Sequence, residues 1–277
     1  MSKVSTDLIE RPPARPGQPV GSRVRFASLR AVVALMLREM YTSYGRSPGG
    51  YLWAVLEPAA GIAILTIILS FAFVSPPLGT SFAMFYATGM VPFLAFSDVS
   101  GKVAQTLQYS KPLLTYPSVT FVDAIIARFI LNMLTQIFVS FIVFGGLLAF
   151  VQLTSGVDYV LLAQSLVMVA ALSLSIGTLN TFLVTRFPVW QRVWGIVMRP
   201  MFVLSCIFFL FETIPQPFRD YLWYNPLVHI VGQMRSAFYS TYDASYVSAT
   251  YVYLFSLIVL VFALNLLSRY HRDLLND

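Results

Sequence analysis

Arg38-Glu39-Met40-Tyr41-Thr42-Ser43-Tyr44-Gly45-Arg46-Ser47-Pro48-Gly49-Gly50-Tyr51-Leu52-Trp53-Ala54-Val55-Leu56-Glu57-Pro58 is the stretch in which a charged surface helix ends, the chain turns, and an apolar segment begins. Arg38 and Arg46 carry fixed charge, Gly45 with Pro48-Gly49-Gly50 makes a sharp turn, and Tyr51 and Trp53 suit the headgroup level of a bilayer. The run that follows, Ala59 to Val74, carries no charge. A basic, bent, aromatic-collared entrance to a membrane span is the starting point for the rest of the chain.

Composition agrees. Hydrophobic residues make up 57% of the 277 and charged residues 11%, against about 25% charged in a soluble domain. The chain reads as an integral membrane protein. Its net charge of +6 is spread between apolar runs, which serves topology and anionic headgroups and argues against nucleic acid as a partner. Cys206, the single cysteine, lies within an apolar run, so no intramolecular disulfide or cysteine-cluster metal site is expected, and it says nothing about compartment.

Upstream, residues 1–21 place Lys3, Arg11 and Arg15 among Pro12, Pro13, Pro16 and Pro19. That composition predicts a disordered cytoplasmic tail, with none of the apolar core a cleavable signal needs. Residues 22–45 then turn helical. At about 100° per residue, Phe26, Leu29, Val33, Met36, Leu37, Met40 and Tyr44 share one arc, with Arg23, Arg30, Arg38 and Glu39 outside it. Arg25 and Ser43 interrupt the arc. An amphipathic helix in the cytoplasmic interface plane follows.

Downstream, residues 46–270 hold six runs of the length a bilayer core requires, about 20 residues each: 51–75, 82–107, 119–150, 158–185, 193–211 and 246–268. The expected fold is all-α and integral to the membrane, with six transmembrane helices preceded by the interface helix. Glu57, Asp98, Asp123, Arg128 and Arg199 fall within these runs and should face protein, water or headgroups. Lys and Arg crowd the N-terminal region, the second connection (Lys111, with Lys102 near its edge), the fourth (Arg186, Arg192) and the C-terminal end (Arg269, Arg272), and are missing from the first and third connections. Both termini are therefore expected in the cytoplasm, with 271–277 as a short tail. The fifth connection, 212–245, is broken by Pro215, Pro217 and Pro226 yet keeps apolar residues at helical spacing. It predicts two short re-entrant helices on the outer side, lining or plugging a pathway. No internal repeat is visible, which weakens a secondary-transporter reading.

The sequence has no Gly-x-x-x-x-Gly-Lys-Ser/Thr loop, so any nucleotide chemistry is expected from a partner. His229 and His271 are too few and too isolated to predict a metal site.

Leu37-Arg38-Glu39, Tyr44-Gly45-Arg46-Ser47-Pro48-Gly49-Gly50-Tyr51-Leu52-Trp53 and Glu57-Pro58 resemble the entrance of the membrane subunits of ABC-2 type polysaccharide exporters, particularly capsular polysaccharide permeases of Gram-negative bacteria. Asn225-Pro226-Leu227, with Arg235 eight positions beyond Leu227, resembles the segment before the last helix of the wider ABC-2 family. In order and spacing the similarity covers nearly the whole chain. It implies a homodimer in the inner membrane, joined to two copies of a separate ABC ATPase subunit that carries the ATP and Mg. A channel between the two membrane subunits would thread a lipid-linked polysaccharide outward, towards periplasmic and outer-membrane export proteins. Gln108 to Ser118, with Tyr109 and Lys111-Pro112-Leu113-Leu114, would be the segment coupling to the ATPase; otherwise it is a plain polar loop.

Under that resemblance Arg38 and Arg46, with Tyr51 and Trp53, would meet the substrate headgroup at a lateral opening, since guanidinium suits phosphate through its forked donors. As topology signals alone, the two arginines need no such role. Flat rings also let a sugar polymer slide, so Trp190, Trp194, Phe208, Phe209 and Phe211 join Tyr51 and Trp53 as channel-lining candidates against an ordinary aromatic belt. Trp223, Asn225, Pro226, Leu227 and Arg235 would form an outer gate. Two alternatives stand beside this reading: an ABC-2 permease for O-antigen, teichoic acid or a lipophilic drug, and a membrane enzyme acting on lipid-linked sugar. The glycan-type entrance argues against a drug, and only Asp98 and Asp123 could serve an enzyme as a carboxylate pair.

Overall fold

Backbone N–H and C=O groups in lipid must find partners within their own segment, and the apolar runs of this chain accordingly become helices. The computed structural model describes residues 27–44, 50–72, 74–111, 120–151 and 156–276, and among these there is no strand. In chain order the helices are α1 (Ala27–Tyr44), α2 (Gly50–Ala72), α3 (Phe82–Ala104), α4 (Thr106–Ser110), α5 (Phe121–Phe150), α6 (Tyr159–Arg186), α7 (Trp190–Leu204), α8 (Phe218–Trp223), α9 (Pro226–Phe238) and α10 (Ala249–Asn276). The expected tail at 1–21, Arg46, and Pro112, Leu113 and Leu114 lie outside the described residues.

Four of these helices are long and apolar enough to cross a membrane: α3, α5, α6 and Ala249–Tyr270 of α10. Of the other two expected spans, α2 has 23 residues, with Leu52–Ile68 as its apolar helix among the described side chains, and α7 has 15 residues. The fifth run, expected to continue to 211, leaves the helix at Leu204 because Cys206 takes a left-handed φ of 59°. Pro200 does not end it. At the far end, α10 continues to Asn276, so most of the segment expected as a tail is helical.

The bundle is organised around α3, which packs on α6, α5, α2 and α9, while α6 also packs on α10 and α9. Small residues permit the α3–α6 crossing, as is common where helices meet in lipid. A Cβ built on Gly177 would lie 2.7 Å from the Val103 Cβ and 3.1 Å from the Ser100 carbonyl oxygen. Thr181 Oγ1 donates to the Val103 carbonyl at 2.9 Å across the same crossing. Gly177→Leu is therefore expected to lower the unfolding temperature of the detergent-purified chain, consistent with an overpacking cost of about 1–3 kcal/mol. Gly145→Leu, at a site with no atom within 4 Å of the added Cβ, should leave that temperature unchanged.

Helix ends follow local chemistry. Thr120 and Asp123 form a reciprocal capping box at the start of α5, and Asp158 accepts from the Val160 and Leu161 N–H groups at the start of α6. The placement of α1 is less obvious. Its apolar arc stays uncovered, with Leu29, Val33, Leu37 and Met40 all exposed. The face that packs on α5 lies roughly a quarter-turn away and carries Ser28, Val32 and Glu39. Ser28 donates to the Asp123 carboxylate. Polar contacts thus fix α1 to the bundle and leave Leu29, Val33, Leu37 and Met40 of its apolar arc exposed.

Candidate functional site

Polar groups in the apolar segments collect at two ends of the bundle. The first lies where α1, α4, the end of α3 and the start of α5 meet. Arg128, with 7% of its side chain exposed, donates through Nε to Glu39 Oε1 at 2.8 Å, and its guanidinium carbon sits 4.5 Å from the centre of the Tyr109 ring. One arginine therefore links α1, the span α5 and the short helix α4. Nearby, Asp98 accepts from Gln136 Nε2 at 2.8 Å and has Lys102 Nζ at 3.9 Å. A cavity of about 520 Å³ opens between α2, α3 and α5 at this level.

The second end is built around the break after α7. Asn225 Oδ1 caps α9 by accepting from the Leu227 N–H at 3.0 Å, while its Nδ2 donates to the Leu204 carbonyl at 3.1 Å, at the end of α7. Arg235 is fully buried. It donates from Nη1 to the Phe209 carbonyl at 3.0 Å and from Nη2 to the Ile207 carbonyl at 2.9 Å, with its guanidinium carbon 4.3 Å from the Phe85 ring centre. Buried backbone outside a helix needs such donors, and the fork of one arginine supplies two. Outside these, Tyr242 donates to both Glu212 oxygens at 3.1 Å. Burial pushes the Tyr242 phenol up to about 12, so it remains a donor at neutral pH.

The residues singled out from sequence fall as follows. Arg38 is exposed on α1, and Trp53, 62% exposed on α2, borders the cavity. Tyr51 opens α2, with its side chain outside the described residues. Tyr109 on α4 and Lys111 just beyond it are exposed. Trp190 Nε1 donates to Asn180 Oδ1 at 2.9 Å, tying α7 to α6, and Trp194 is half-buried on α7. Phe208 and Phe209 lie in the break after α7, and Phe211 opens a short 3-10 turn, Phe211–Thr213. Phe208 packs edge-on to Phe202, Phe209 lies beside Cys206, and Phe211 stacks on Tyr246 with centroids 4.2 Å apart. The structure brings Asn225 and Arg235 together with the backbone of residues 204–209, and the Leu227 N–H donates to Asn225. Trp223 packs beside them against His229 and Tyr251 at 5.0 Å each.

Sequence reasoning left unpaired the residues that join distant segments, above all Glu39 with Arg128. Two opposite charges 89 positions apart give no local signal of their pairing. Asp123, weighed as one of a carboxylate pair for an enzyme, is taken up by the capping box and Ser28.

These features define a multi-pass, all-helical membrane protein with charged groups sequestered at both ends of its bundle. The ABC-2 type transporter family profile matches residues 30–239, and the chain belongs to that family of transporter membrane subunits. The polysialic acid transport protein KpsM of Escherichia coli is 34% identical over 240 residues, covering 85% of this chain and 91% of that protein. The capsule polysaccharide export inner-membrane protein CtrC of Neisseria meningitidis is 24% identical over 245 residues, covering 88% and 92%. BexB of Haemophilus influenzae, with the same description, is 23% identical over 251 residues with the same coverage.

Proposed function

We propose that this chain is the channel-forming membrane subunit of an ATP-driven exporter of lipid-linked capsular polysaccharide in the inner membrane. The observation that carries the reading is the near full-length similarity to relatives named for polysialic acid transport and capsule polysaccharide export. The chain works as a homodimer with two copies of a separate ATPase subunit, which binds ATP and Mg. Two uncovered helix faces support a second copy. On α7 no residue is buried, and α2 exposes Leu52, Ile64, Ile67, Ile68 and Phe71. In this arrangement α2 and α7 complete a six-span layout, both termini are cytoplasmic, and the channel runs between the two copies.

The remaining roles follow from position. Tyr109 and Lys111, exposed at the α1 end, begin the segment that meets the ATPase, and Tyr109 touches Arg128, so a push there reaches α1 and α5 directly. Arg38 and Arg46 receive the phosphate of the lipid anchor. At the opposite end α8 and α9 dip into the outer leaflet, and the clasp made by Asn225 and Arg235 sets the position of the outer gate. Periplasmic and outer-membrane partners continue the path. The test is deletion in the encoding bacterium. Surface polysaccharide should vanish and lipid-linked polysaccharide should accumulate inside the cell, with both restored by the plasmid-borne chain. Unchanged surface polysaccharide in the deletion strain would refute the reading.

A further inference from the structure

Gly101 lies in the last turn of α3, where alanine would be the better helix former. A Cβ added there meets no atom within 4 Å, so no close helix crossing requires glycine, in contrast to Gly177. Gly101 borders the 520 Å³ cavity, and its missing side chain keeps that space open.

Arg128 borders the same cavity. Its Nε is engaged by Glu39, but its Nη1 is buried and among the described residues has no hydrogen-bond partner. A buried guanidinium donor without an acceptor is costly, and an oxyanion at that point would satisfy it with a charge-assisted bond. The rest of the lining narrows the ligand. Glu57 and Asp98 can accept from hydroxyl groups, Gln136 adds an amide, and the Trp53 ring offers a flat apolar surface. Lys102 also lines the cavity, and Asp98 already has Lys102 and Gln136 beside it. A bare inorganic anion would bring Glu57 no donor, and a lipid tail would leave both Glu57 and the Arg128 guanidinium without a new partner. A sugar with a single oxyanion meets both requirements, because its hydroxyls donate to the carboxylates and its charge reaches Arg128.

We infer that this cavity is a sugar subsite within each protomer, taking a monosaccharide unit that bears one carboxylate or phosphate, with the Arg128 guanidinium as the partner of the oxyanion. The inference rests on the glycan-export reading and specifies where a unit of the chain, or its phosphate-linked end, is held before it moves outward.

The full-length chain in lipid nanodiscs would be titrated with glucuronate, glucose 1-phosphate and glucose, following heat and tryptophan fluorescence. Saturable millimolar binding of at least one charged sugar is expected, with glucose weaker by about tenfold or more. Tighter glucuronate binding assigns the site to an acidic sugar of the polymer, and tighter glucose 1-phosphate binding assigns it to the phosphate-linked end. Gly101→Leu should abolish binding while keeping the wild-type unfolding temperature. Arg128→Lys, which keeps a cation for Glu39, should weaken the charged sugars about tenfold and leave glucose unchanged. No saturable binding, binding that survives Gly101→Leu, or glucose bound as tightly as glucuronate would each overturn the subsite. Surface polysaccharide separates the two readings: normal export by Gly101→Leu sinks the subsite alone, whereas normal export without the chain sinks the transport reading.

Discussion

Arg235→Met is expected to abolish polysaccharide export and to remove most of the folded protein. The change withdraws both donors from the Ile207 and Phe209 carbonyls in a site closed to solvent. Each orphaned buried carbonyl costs about 1–3 kcal/mol, so the pair is a substantial fraction of the 5–15 kcal/mol or so that holds a typical protein together. The segment affected is the one that can least bear it, because residues 205–210 have no helical ladder and Cys206 is held at a positive φ. Arg235→Lys separates folding from function. Lysine keeps the charge but cannot span both carbonyls with one rigid fork, so the folded chain should be recovered in good yield while surface polysaccharide falls several-fold. Fluorescence-detected size exclusion reads the first quantity and immunoassay of intact cells the second. Wild-type values for Arg235→Met in both would show that the clasp holds nothing.

Glu39→Arg should be nearly as damaging, at the other end of the bundle. It sets two guanidinium groups against each other at a buried position, with side-chain exposures of 7% for Arg128 and 14% for Glu39. Breaking such a pair by changing one partner costs about 3–5 kcal/mol. The double variant Glu39→Arg, Arg128→Glu reverses the charges and should recover folded yield and unfolding temperature. Export should not recover with them, because the cavity then has a carboxylate where the guanidinium stood. Full recovery of export by the swap would mean that Arg128 serves only to hold α1 on α5.

Much of the architecture was legible because it follows from local composition. The entrance at Arg38–Pro58 announced a helix and an apolar segment, with its expected turn at 45–49 outside the described residues, and the apolar runs announced long helices. The end of α7 was not legible. Leu204 to Leu210 reads as continuous apolar sequence around Ser205 and Cys206, and nothing within it says that the helix stops. What lets it stop is Arg235, 26 and 28 positions away from the carbonyls it satisfies. The same limit hid the Ser28–Asp123 contact, across 95 positions. The resemblance marked Asn225 and Arg235 as important without saying what they touch; the structure assigns both to the same stretch of backbone. The aromatic candidates fared differently, since a ring in an apolar run reads alike whether it faces a channel, lipid or its own core. Phe211 faces its own core, 5% exposed.

The most direct measurement of the central claim uses sealed vesicles containing this chain with its proposed ATPase partner, and lipid-linked polysaccharide presented on the face bearing the ATPase. Passage of polysaccharide into the lumen should require ATP, both proteins and an intact Arg235, and should stop when the ATPase is left out. Transfer that continues without ATP or without the ATPase, or none with every component present, would contradict the account.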